Sequence, residues 1–139
     1  MPSISRKRDQ DTILVAEDEI LTRTVLAQFL RAAGHRVIEA STADDALAVL
    51  QSGQPVDLVI TDIEMPGGQD GYDLVRDLRA DHPRTRIIVA AASPEDPSIR
   101  RKIDAFFEKP YDIEVLVAFA TRLLADGNGN GNESHTETA

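Results

Sequence analysis

The chain has 139 residues, enough for one domain and too few for two domains with a core each. Hydrophobic residues make up 42% and charged residues 28%, which excludes a collagen-like, wholly disordered or membrane-embedded chain. The 15 basic residues are outnumbered by 24 acidic ones, and the resulting net charge of −9 disfavours a surface that binds nucleic acid.

The sequence has no cysteine and no long apolar segment. Without cysteine, disulfide bonds, thiolate zinc sites and thiol nucleophiles are excluded. The first apolar run begins at Ile13 and stops at Glu17, so it is too short for a signal peptide. No stretch approaches the roughly 18 apolar residues of a membrane span. We therefore expect a cytoplasmic protein that does not contact a membrane.

Two terminal segments contrast with the middle of the chain. Residues 1–11 are polar and carry mixed charges, and residues 126–139 read DGNGNGNESHTETA, with no large apolar side chain. Such segments cannot bury enough apolar surface to offset the entropy of ordering. The pattern predicts a single domain at 12–125 between disordered tails at 1–11 and 126–139.

The predicted domain alternates short apolar runs with amphipathic stretches. The apolar runs are continuous, as expected of strands buried on both faces of a parallel sheet. They fall at residues 12–16, 37–40, 58–61, 87–92 and 105–107. Helical patterns occupy residues 20–33, 42–50, 71–80 and 113–125. This alternation predicts an α/β fold: a flavodoxin-like, doubly wound sheet of five parallel strands in the order 2-1-3-4-5.

The helix positions rest on spacing and on capping residues. Leu21, Val25 and Phe29 recur at every fourth position and indicate the first helix. Ser41, followed three residues later by an aspartate, resembles a capping box for the second helix. Asp112 precedes the last helix as its predicted cap.

Acidic side chains follow two of the predicted strands. Glu17, Asp18 and Glu19 come directly after the first strand, and Asp62 follows the third. Neighbouring parallel strands bring such residues to one edge of the sheet, where open α/β folds bind ligands. Carboxylates about 5 Å apart repel by roughly 3 kcal/mol, and a hard divalent ion such as Mg²⁺ relieves that repulsion. Two simpler explanations stay open: the first three acids as helix caps, and Asp62 as a turn former.

Three motifs at three strand ends resemble one known family. They are VAEDE at 15–19, DLVITDIEMP at 57–66 and EKPYD at 108–112. Together, and in this order, they are similar to the receiver domain of two-component response regulators, in particular to single-domain, chemotaxis-regulator-like receivers. The resemblance covers residues 12–125.

The resemblance implies a role for each residue of the acidic strand ends. It implies that Asp62 accepts a phosphoryl group from a phosphohistidine donor and contributes to a Mg²⁺ site. Asp18 would bind the ion directly, and Glu17 would act mostly through a metal-bound water. The backbone carbonyl of Glu64 would supply another oxygen.

Lys109 is the candidate cation of the site. The resemblance implies that it pairs with phosphoryl oxygens, and that the bond to the following Pro110 is cis, as often in the family. Phosphoryl transfer needs an in-line nucleophile and neutralisation of charge on the equatorial oxygens. A metal ion and Lys109 would supply that charge. The simpler alternative is a solvated lysine at a strand end.

The switch positions depart from the family pattern. The switch hydroxyl at the end of the fourth strand corresponds to Ala91, whose methyl group cannot donate a hydrogen bond. Such a bond to a charged group is worth about 1.5 to 3 kcal/mol, so its loss predicts weaker coupling between phosphorylation and shape. Ser93 replaces it only if the loop folds back, which Pro94 restricts. The aromatic switch corresponds to Phe106, which fits equally well as an ordinary core residue.

The connections also differ from the family pattern. Only 14 residues separate Ala91 from Phe106, and two of them are prolines, so a shortened or irregular fourth helix is expected. One extra residue follows Pro66, which predicts a changed loop beside an intact site. The last helix has an apolar arc of about 200°, wider than a core-facing stripe of roughly 100°. The surplus is either a partner surface or is covered by the first helix.

The expected function is that of a stand-alone response regulator receiver. It would take a phosphoryl group from a histidine kinase or histidine phosphotransferase and signal by contact with an unknown downstream protein. We expect no nucleic-acid partner, a monomer or weak dimer, and no enzyme activity beyond its own Mg²⁺-dependent phosphorylation and dephosphorylation. Two alternatives stay open. One is a pseudo-receiver that binds partners without phosphorylation, and the other is a Mg²⁺-dependent phosphatase of the haloacid dehalogenase type, which normally has an aspartate where Glu64 stands.

Overall fold

A computed structural model describes residues 10–66 and 70–126 and the backbone of a strand at 135–138. Strands and helices alternate along the chain, as the apolar pattern predicts. In chain order they are β1 (Thr12–Ala16), α1 (Ile20–Ala32), β2 (Arg36–Ala40), α2 (Ala43–Gln51), β3 (Leu58–Thr61), α3 (Gly71–Asp81), β4 (Arg86–Ala91), a 3₁₀ helix (Pro97–Lys102), β5 (Ala105–Glu108), α4 (Ile113–Ala125) and β6 (His135–Thr138).

The strands form one parallel sheet in the order β2-β1-β3-β4-β5-β6. Its first five strands confirm the predicted flavodoxin-like order 2-1-3-4-5. In the register of β1 and β3, Ala16 lies opposite Thr61. The residues that follow these two strands therefore leave the sheet side by side.

Apolar side chains pack on both faces of the sheet, and β1 and β3 are buried throughout. One layer combines one set of strand residues with α2, α3 and the 3₁₀ helix, and includes Leu14, Val59, Leu74 and Ile99. The other layer combines the opposite strand residues with α1 and α4, and includes Ile13, Ile60, Leu30 and Leu116. Because both faces are covered, polar chemistry is confined to the sheet edges where the strands end.

The face of helix α1 that packs on the core is not the one that carries Leu21, Val25 and Phe29. Leu26, Ala27 and Leu30 are buried, whereas Leu21, Val25 and Phe29 are 69%, 41% and 39% exposed. Their spacing indicates the helix but does not say which of its apolar rows faces the core. The helix carries apolar residues on two sides, and the shorter row fits between the sheet and α4.

Side chains cap the other helices, with one difference from the sequence analysis. The hydroxyl of Thr42, not that of Ser41, accepts the N–H of Asp45 at 3.0 Å and begins α2. Helix α3 begins with a reciprocal pair in which Asp70 and Asp73 each accept the other's backbone N–H at 3.1 Å. Asp112 caps α4, as predicted.

The expected shortening of the fourth helix is confirmed. A six-residue 3₁₀ helix, Pro97–Lys102, stands between β4 and β5, and Asp96 caps it by accepting the N–H of Ser98. Ile99 is its buried residue. Two prolines leave too few residues for a longer helix.

The wide apolar arc of α4 is largely covered. Leu116 and Ala120 are buried, and five neighbours pack against the same core layer: Ile113, Val117, Phe119, Leu123 and Leu124. Val115 is the one large hydrophobic residue of α4 that is prominently exposed. The alternative in which the surplus is covered is therefore favoured over a broad partner surface on this helix.

Parts of the expected tails are ordered. Residues 1–9, 127–134 and 139 lie outside the described residues. The expectation of disorder at 126–139 was wrong for 135–138, because these residues pair with β5 as β6. The free edge of β5 offers unpaired N–H and C=O groups, and two of the four β6 residues are threonines, which favour strands. At the other end, the Asp11 carbonyl accepts the N–H of Arg36 at 2.9 Å.

None of the helices in the described ranges is long and apolar enough to span a membrane.

Candidate functional site

Three carboxylates meet where β1 and β3 end. Glu17 and Asp18 follow β1, Asp62 follows β3, and one oxygen from each lies within 4.8 Å of the others. The backbone holds this arrangement, because the N–H of Glu17 donates to Ala40 O and that of Asp62 donates to Ala16 O, both at 3.0 Å. The proximity that the sequence predicted is therefore present.

Burial makes this cluster electrostatically costly. Glu17 and Asp62 are buried, whereas Asp18 is exposed. Two carboxylates at this separation repel by roughly 3 kcal/mol at an effective dielectric near 20. Burial raises the pKa of the Glu17 carboxyl, and hydrogen bonds from Lys109 and from the Glu19 N–H oppose that rise. Such a site favours a cation.

Lys109 supplies one positive charge to the cluster. Its Nζ donates to Glu17 Oε1 at 2.8 Å and to Asp62 Oδ2 at 3.0 Å. Burial alone would lower the pKa of this ammonium, but the hydrogen bonds to the two carboxylates outweigh burial and raise it. The alternative of a solvated lysine does not describe this side chain, which is 24% exposed and bound on two sides.

Asp62 is held by its own loop as well as by Lys109. Its Oδ1 accepts the N–H of Ile63 at 2.6 Å and that of Glu64 at 3.3 Å. The local contacts agree with a turn-forming role, but Oδ2 points to Lys109 and into the acidic cluster. The helix-cap explanation for the first three acids fares less well, because Glu19, at the start of α1, makes no side-chain cap.

Gly71 lets α3 pack directly on the loop that carries Asp62. A Cβ atom at this position would lie 2.1 Å from Asp62 O and 2.6 Å from Ile63 Cα. The Gly71 N–H also donates to Ile63 O at 2.8 Å. The sequence analysis missed this role, although a glycine at the start of a predicted helix, close after Asp62, was an available signal.

The donor set suits a hard divalent cation. Three carboxylates converge, Lys109 neutralises part of their charge, and Asp18 leaves its carboxylate exposed and without a hydrogen bond or ion pair among the described residues. Oxygen donors of this kind are those that Mg²⁺ prefers. The cluster can therefore hold such an ion.

Residues 13–121 match the sequence profile of the response regulator receiver domain. The chain belongs to this family.

Several known proteins are similar to this chain. The DNA-binding transcriptional regulator NtrC of Azospirillum brasilense is 36% identical over 117 residues, 81% of this chain and 24% of that protein. The sensor kinase CckA of Brucella abortus is 33% identical over 118 residues, 81% of this chain and 12% of that protein. The crystal structure of the response regulator TrrA of Thermotoga maritima, in complex with Mg²⁺–BeF, is 28% identical, covers 82% of this chain and 99% of that one, and has a TM-score of 0.72. The chain thus spans about a quarter or less of the two curated relatives.

In this receiver, Ala91 stands where the resemblance implies the switch hydroxyl. Ala91 ends β4 and is buried, and its carbonyl accepts the N–H of Lys109 at 2.8 Å. Ser93 lies at the mouth of the site, where its Oγ donates to Glu64 Oε2 at 2.8 Å. The Ser93 hydroxyl is thus engaged by a side chain of the β3–α3 loop and not by Asp62.

Phe106 and the Lys109–Pro110 bond complete the receiver motifs at β5. The Phe106 ring is buried in the layer formed with α2 and α3, as the core alternative predicts. The Lys109–Pro110 peptide bond is cis, as the resemblance implies.

An apolar groove borders the acidic cluster of the receiver on the α1 side. Exposed residues of α1 and the loop before α4 line it, beside the stem of Lys109: Leu21, Thr22, Val25, Pro110, Tyr111 and Ile113. The sequence analysis missed this surface because it used Leu21 and Val25 only to locate the first helix. A second apolar row on α1, present in the sequence at residues 26, 27 and 30, was the signal.

Proposed function

We propose that this receiver accepts a phosphoryl group on Asp62 from a phosphohistidine donor and signals by contact with another protein. One observation carries the proposal: Asp62 Oδ2 lies 3.0 Å from Lys109 Nζ, inside a cluster of three carboxylates whose oxygens lie within 4.8 Å. A nucleophile, a fixed cation and a site for a divalent ion stand together, and phosphoryl transfer asks little more of a protein.

The transfer is a substitution at phosphorus. A carboxylate oxygen of Asp62 forms a bond to phosphorus while the bond from phosphorus to the donor imidazole nitrogen breaks. That nitrogen keeps the electron pair of the broken bond and takes up a proton as the donor leaves. Lys109 Nζ, already within hydrogen-bond distance of Asp62, is placed to bind the phosphoryl oxygens.

A Mg²⁺ ion is the proposed cofactor. Asp18 and Asp62 would hold it, Glu17 would act through water, and the Glu64 carbonyl stays a predicted ligand. When bound, the ion would supply positive charge to the phosphoryl oxygens. One carboxylate oxygen of Glu17 already accepts a hydrogen bond from Lys109 and the other accepts one from the Glu19 N–H. These bonds support a role in which Glu17 binds the ion through a water molecule.

The proposed donor is a histidine kinase or a histidine phosphotransferase, acting in the cytoplasm. Its histidine must reach Asp62, so its surface must cover the rim of the site. The groove beside Lys109, with Leu21 and Val25 exposed on α1, offers apolar area at that rim. The prediction that the receiver works without an attached output domain, as a monomer or weak dimer, stays a prediction.

The receiver is proposed to promote only its own phosphorylation and dephosphorylation. Ala91 favours a second candidate, a pseudo-receiver that binds partners without modification, since this residue cannot contact a phosphoryl oxygen through a side-chain hydrogen bond. The chain belongs to the receiver family, and Glu64, which stands where the phosphatase has an aspartate, accepts a hydrogen bond from Ser93. Neither observation supports the phosphatase alternative.

Incubation with acetyl phosphate and Mg²⁺, followed by intact mass spectrometry, tests the proposal. We expect one phosphoryl group on the wild type, none on Asp62→Asn, and wild-type modification of Asp44→Asn, whose carboxylate is exposed on α2. Modification of Asp62→Asn would place the acceptor elsewhere. No modification of the wild type, with acetyl phosphate or with a phosphorylated histidine phosphotransferase, would favour the pseudo-receiver.

The groove has its own test. Leu21→Ser should slow transfer from a phosphorylated histidine phosphotransferase, because it removes apolar contact area, and should leave the rate with acetyl phosphate unchanged. Equal rates of transfer from the histidine phosphotransferase to the wild type and to Leu21→Ser would show that the groove does not contact the donor.

A further inference from the structure

Arg23 links the loop of the acidic cluster to two other elements. From the first turn of α1, its Nη1 donates to Glu17 O at 2.9 Å and its Nε donates to Glu39 Oε1, on β2, at 3.2 Å. The side chain is only 15% exposed. No part of the transfer described above uses it.

The contact at Glu17 O acts on Asp18 through the peptide bond. The carbonyl of residue 17 and the N–H of residue 18 belong to one planar unit, so fixing the carbonyl also fixes the direction in which the backbone enters Asp18. Asp18 needs such support, because its own carboxylate makes no hydrogen bond or ion pair among the described residues. Glu17 and Asp62 are held by Lys109, whereas Asp18 is held by its backbone alone.

We propose that Arg23 is a positioning residue that sets Asp18 for binding a divalent cation. This inference rests on the proposed function, since it concerns the same acidic cluster. A planar guanidinium suits the task because it can donate to two acceptors at fixed angles, whereas an ammonium is a point charge on a flexible stem.

Glu39 makes this arrangement compatible with a cation site. An unpaired guanidinium at Glu17 would repel a divalent ion bound nearby. Glu39 neutralises Arg23, and its second oxygen pairs with Arg31 Nη1 at 3.2 Å. Arg31 therefore shares the carboxylate and the helix with Arg23 but has no bond to the β1–α1 loop, since its other bond goes to Val37 O. It is a matched control.

The sign of the effect separates positioning from charge. Removing a positive charge near the cluster strengthens Mg²⁺ binding if charge alone acts, and removing a positioning contact weakens it. Residues that orient metal ligands typically contribute 10- to 100-fold in metal affinity. We expect Arg23→Gln to weaken Mg²⁺ binding about tenfold, and Arg31→Gln to change it by less than about twofold.

Calorimetric titration of the full chain with Mg²⁺, without any phosphoryl donor, measures these affinities. Amide chemical shifts of the metal-free protein give a second readout, in which Arg23→Gln should move the signals of residues 17–19 and Arg31→Gln should not. Arg23→Lys keeps the charge but replaces the planar fork of fixed donors by one nitrogen on a flexible stem, so it should also bind Mg²⁺ more weakly. Tighter or unchanged Mg²⁺ binding by Arg23→Gln, or wild-type binding by Arg23→Lys, would overturn the inference.

If Arg23→Gln fails to fold by circular dichroism, Arg23→Lys takes its place. This variant keeps the positive charge, so weaker Mg²⁺ binding reports positioning, and unchanged binding overturns the inference. The proposed function fails separately: a wild type that binds Mg²⁺ but takes no phosphoryl group refutes phosphoryl acceptance and leaves the role of Arg23 standing.

Discussion

Lys109 Nζ lies 2.8 Å from Glu17 Oε1, although 92 residues separate the two in the chain. The same ammonium reaches Asp62 Oδ2, so one side chain from the end of β5 joins the ends of β1 and β3. Glu17 is buried, and no other cation is bonded to its carboxylate in the described residues. The acidic edge of the receiver is thus assembled around Lys109.

Lys109→Gln should therefore destabilise the metal-free protein by about 1 to 3 kcal/mol, because it leaves the buried Glu17 and Asp62 carboxylates without their cation. Mg²⁺ should stabilise this variant more than it stabilises the wild type. Urea unfolding with a chelator and with saturating Mg²⁺ measures both effects. Lys102→Gln, which removes a lysine without a described ion pair, is the control. Equal metal-free stability of the two variants would mean that the Lys109 bonds contribute little.

Asp18→Asn should abolish most Mg²⁺ binding and raise the stability of the metal-free protein, because it removes one of three converging charges. The two effects have opposite signs, which a general folding defect cannot produce. Calorimetric titration and urea unfolding check them. Glu19→Gln is the matched control, since its carboxylate contacts Thr22 in its own helix and lies outside the cluster. Unchanged Mg²⁺ affinity of Asp18→Asn would return these acids to the role of helix caps.

Gly71→Ala should cost about 2 kcal/mol or more, because the new Cβ meets backbone atoms that cannot move without displacing Asp62. Gly53→Ala makes the same chemical change where a Cβ meets open space, although at a φ of +87°. Its cost should stay near 1 kcal/mol, from the left-handed backbone alone. Urea unfolding gives the two values, and phosphorylation by acetyl phosphate should fall only in Gly71→Ala. A larger loss at Gly53 would contradict the packing account.

Ala91→Thr should enlarge the amide shift changes that phosphorylation causes around Phe106 and Lys109. The reason is that a hydroxyl at the end of β4 can hydrogen-bond a phosphoryl oxygen, which the present methyl cannot. Ala91→Val has the same shape without the hydroxyl and isolates the effect of crowding. Nuclear magnetic resonance spectra with and without phosphorylation provide the comparison. The same enlargement in both variants would assign it to packing.

His35 should make the fold less stable in mild acid. Its Nε2 lies 2.9 Å from Thr121 Oγ1, and burial lowers the pKa of its imidazole, while the charge of Asp11 opposes that shift. In the unfolded chain the His35 imidazole takes up a proton below about pH 6.5, whereas in the folded chain it does so only at a lower pH. The contribution of His35 to the free energy of unfolding is therefore fully present above about pH 6.5 and is lost as the pH falls toward the lower pKa of the folded state.

The measurement for His35 is the difference in urea midpoint between roughly pH 7.5 and pH 5.5, which straddle the ordinary histidine pKa. The difference should be smaller in His35→Gln than in the wild type, and unchanged in His82→Gln. An equal difference in all three chains would assign the acid sensitivity to carboxylates.

The fold and the acidic cluster were predictable because each left a strong local pattern. Continuous apolar runs such as residues 58–61 indicate strands buried on both faces, and Asp62 directly after such a run has no place in a core. The strand order then brings Glu17 and Asp62 together. Lys109 could be placed at the same edge by the same reasoning, but its bond to Glu17 in preference to solvent depends on burial, which no single motif encodes.

Periodicity marks an apolar row on a helix without saying what covers that row. Helix α1 carries two such rows, and only tertiary packing decides that Leu26 and Leu30 face inward while Leu21 and Val25 face out. Strand β6 was missed because its residues look polar and become ordered only by pairing with β5. Gly71 was missed because the apolar spacing used to locate helices says nothing of a close approach of two backbones, although the glycine itself was a signal.

The 3₁₀ helix between β4 and β5 gives this receiver an uneven stiffness. Helices α1, α3 and α4 each bury two or more residues, whereas the 3₁₀ helix is anchored through Ile99. Hydrogen-bond geometry is poorer in such helices, and segments with few buried apolar contacts open at low free energy. This crossover starts shortly after Ala91, beside the acidic edge. Among the described crossovers we therefore expect this one to open at the lowest free energy, so a partner that docks beside it would contact a deformable surface.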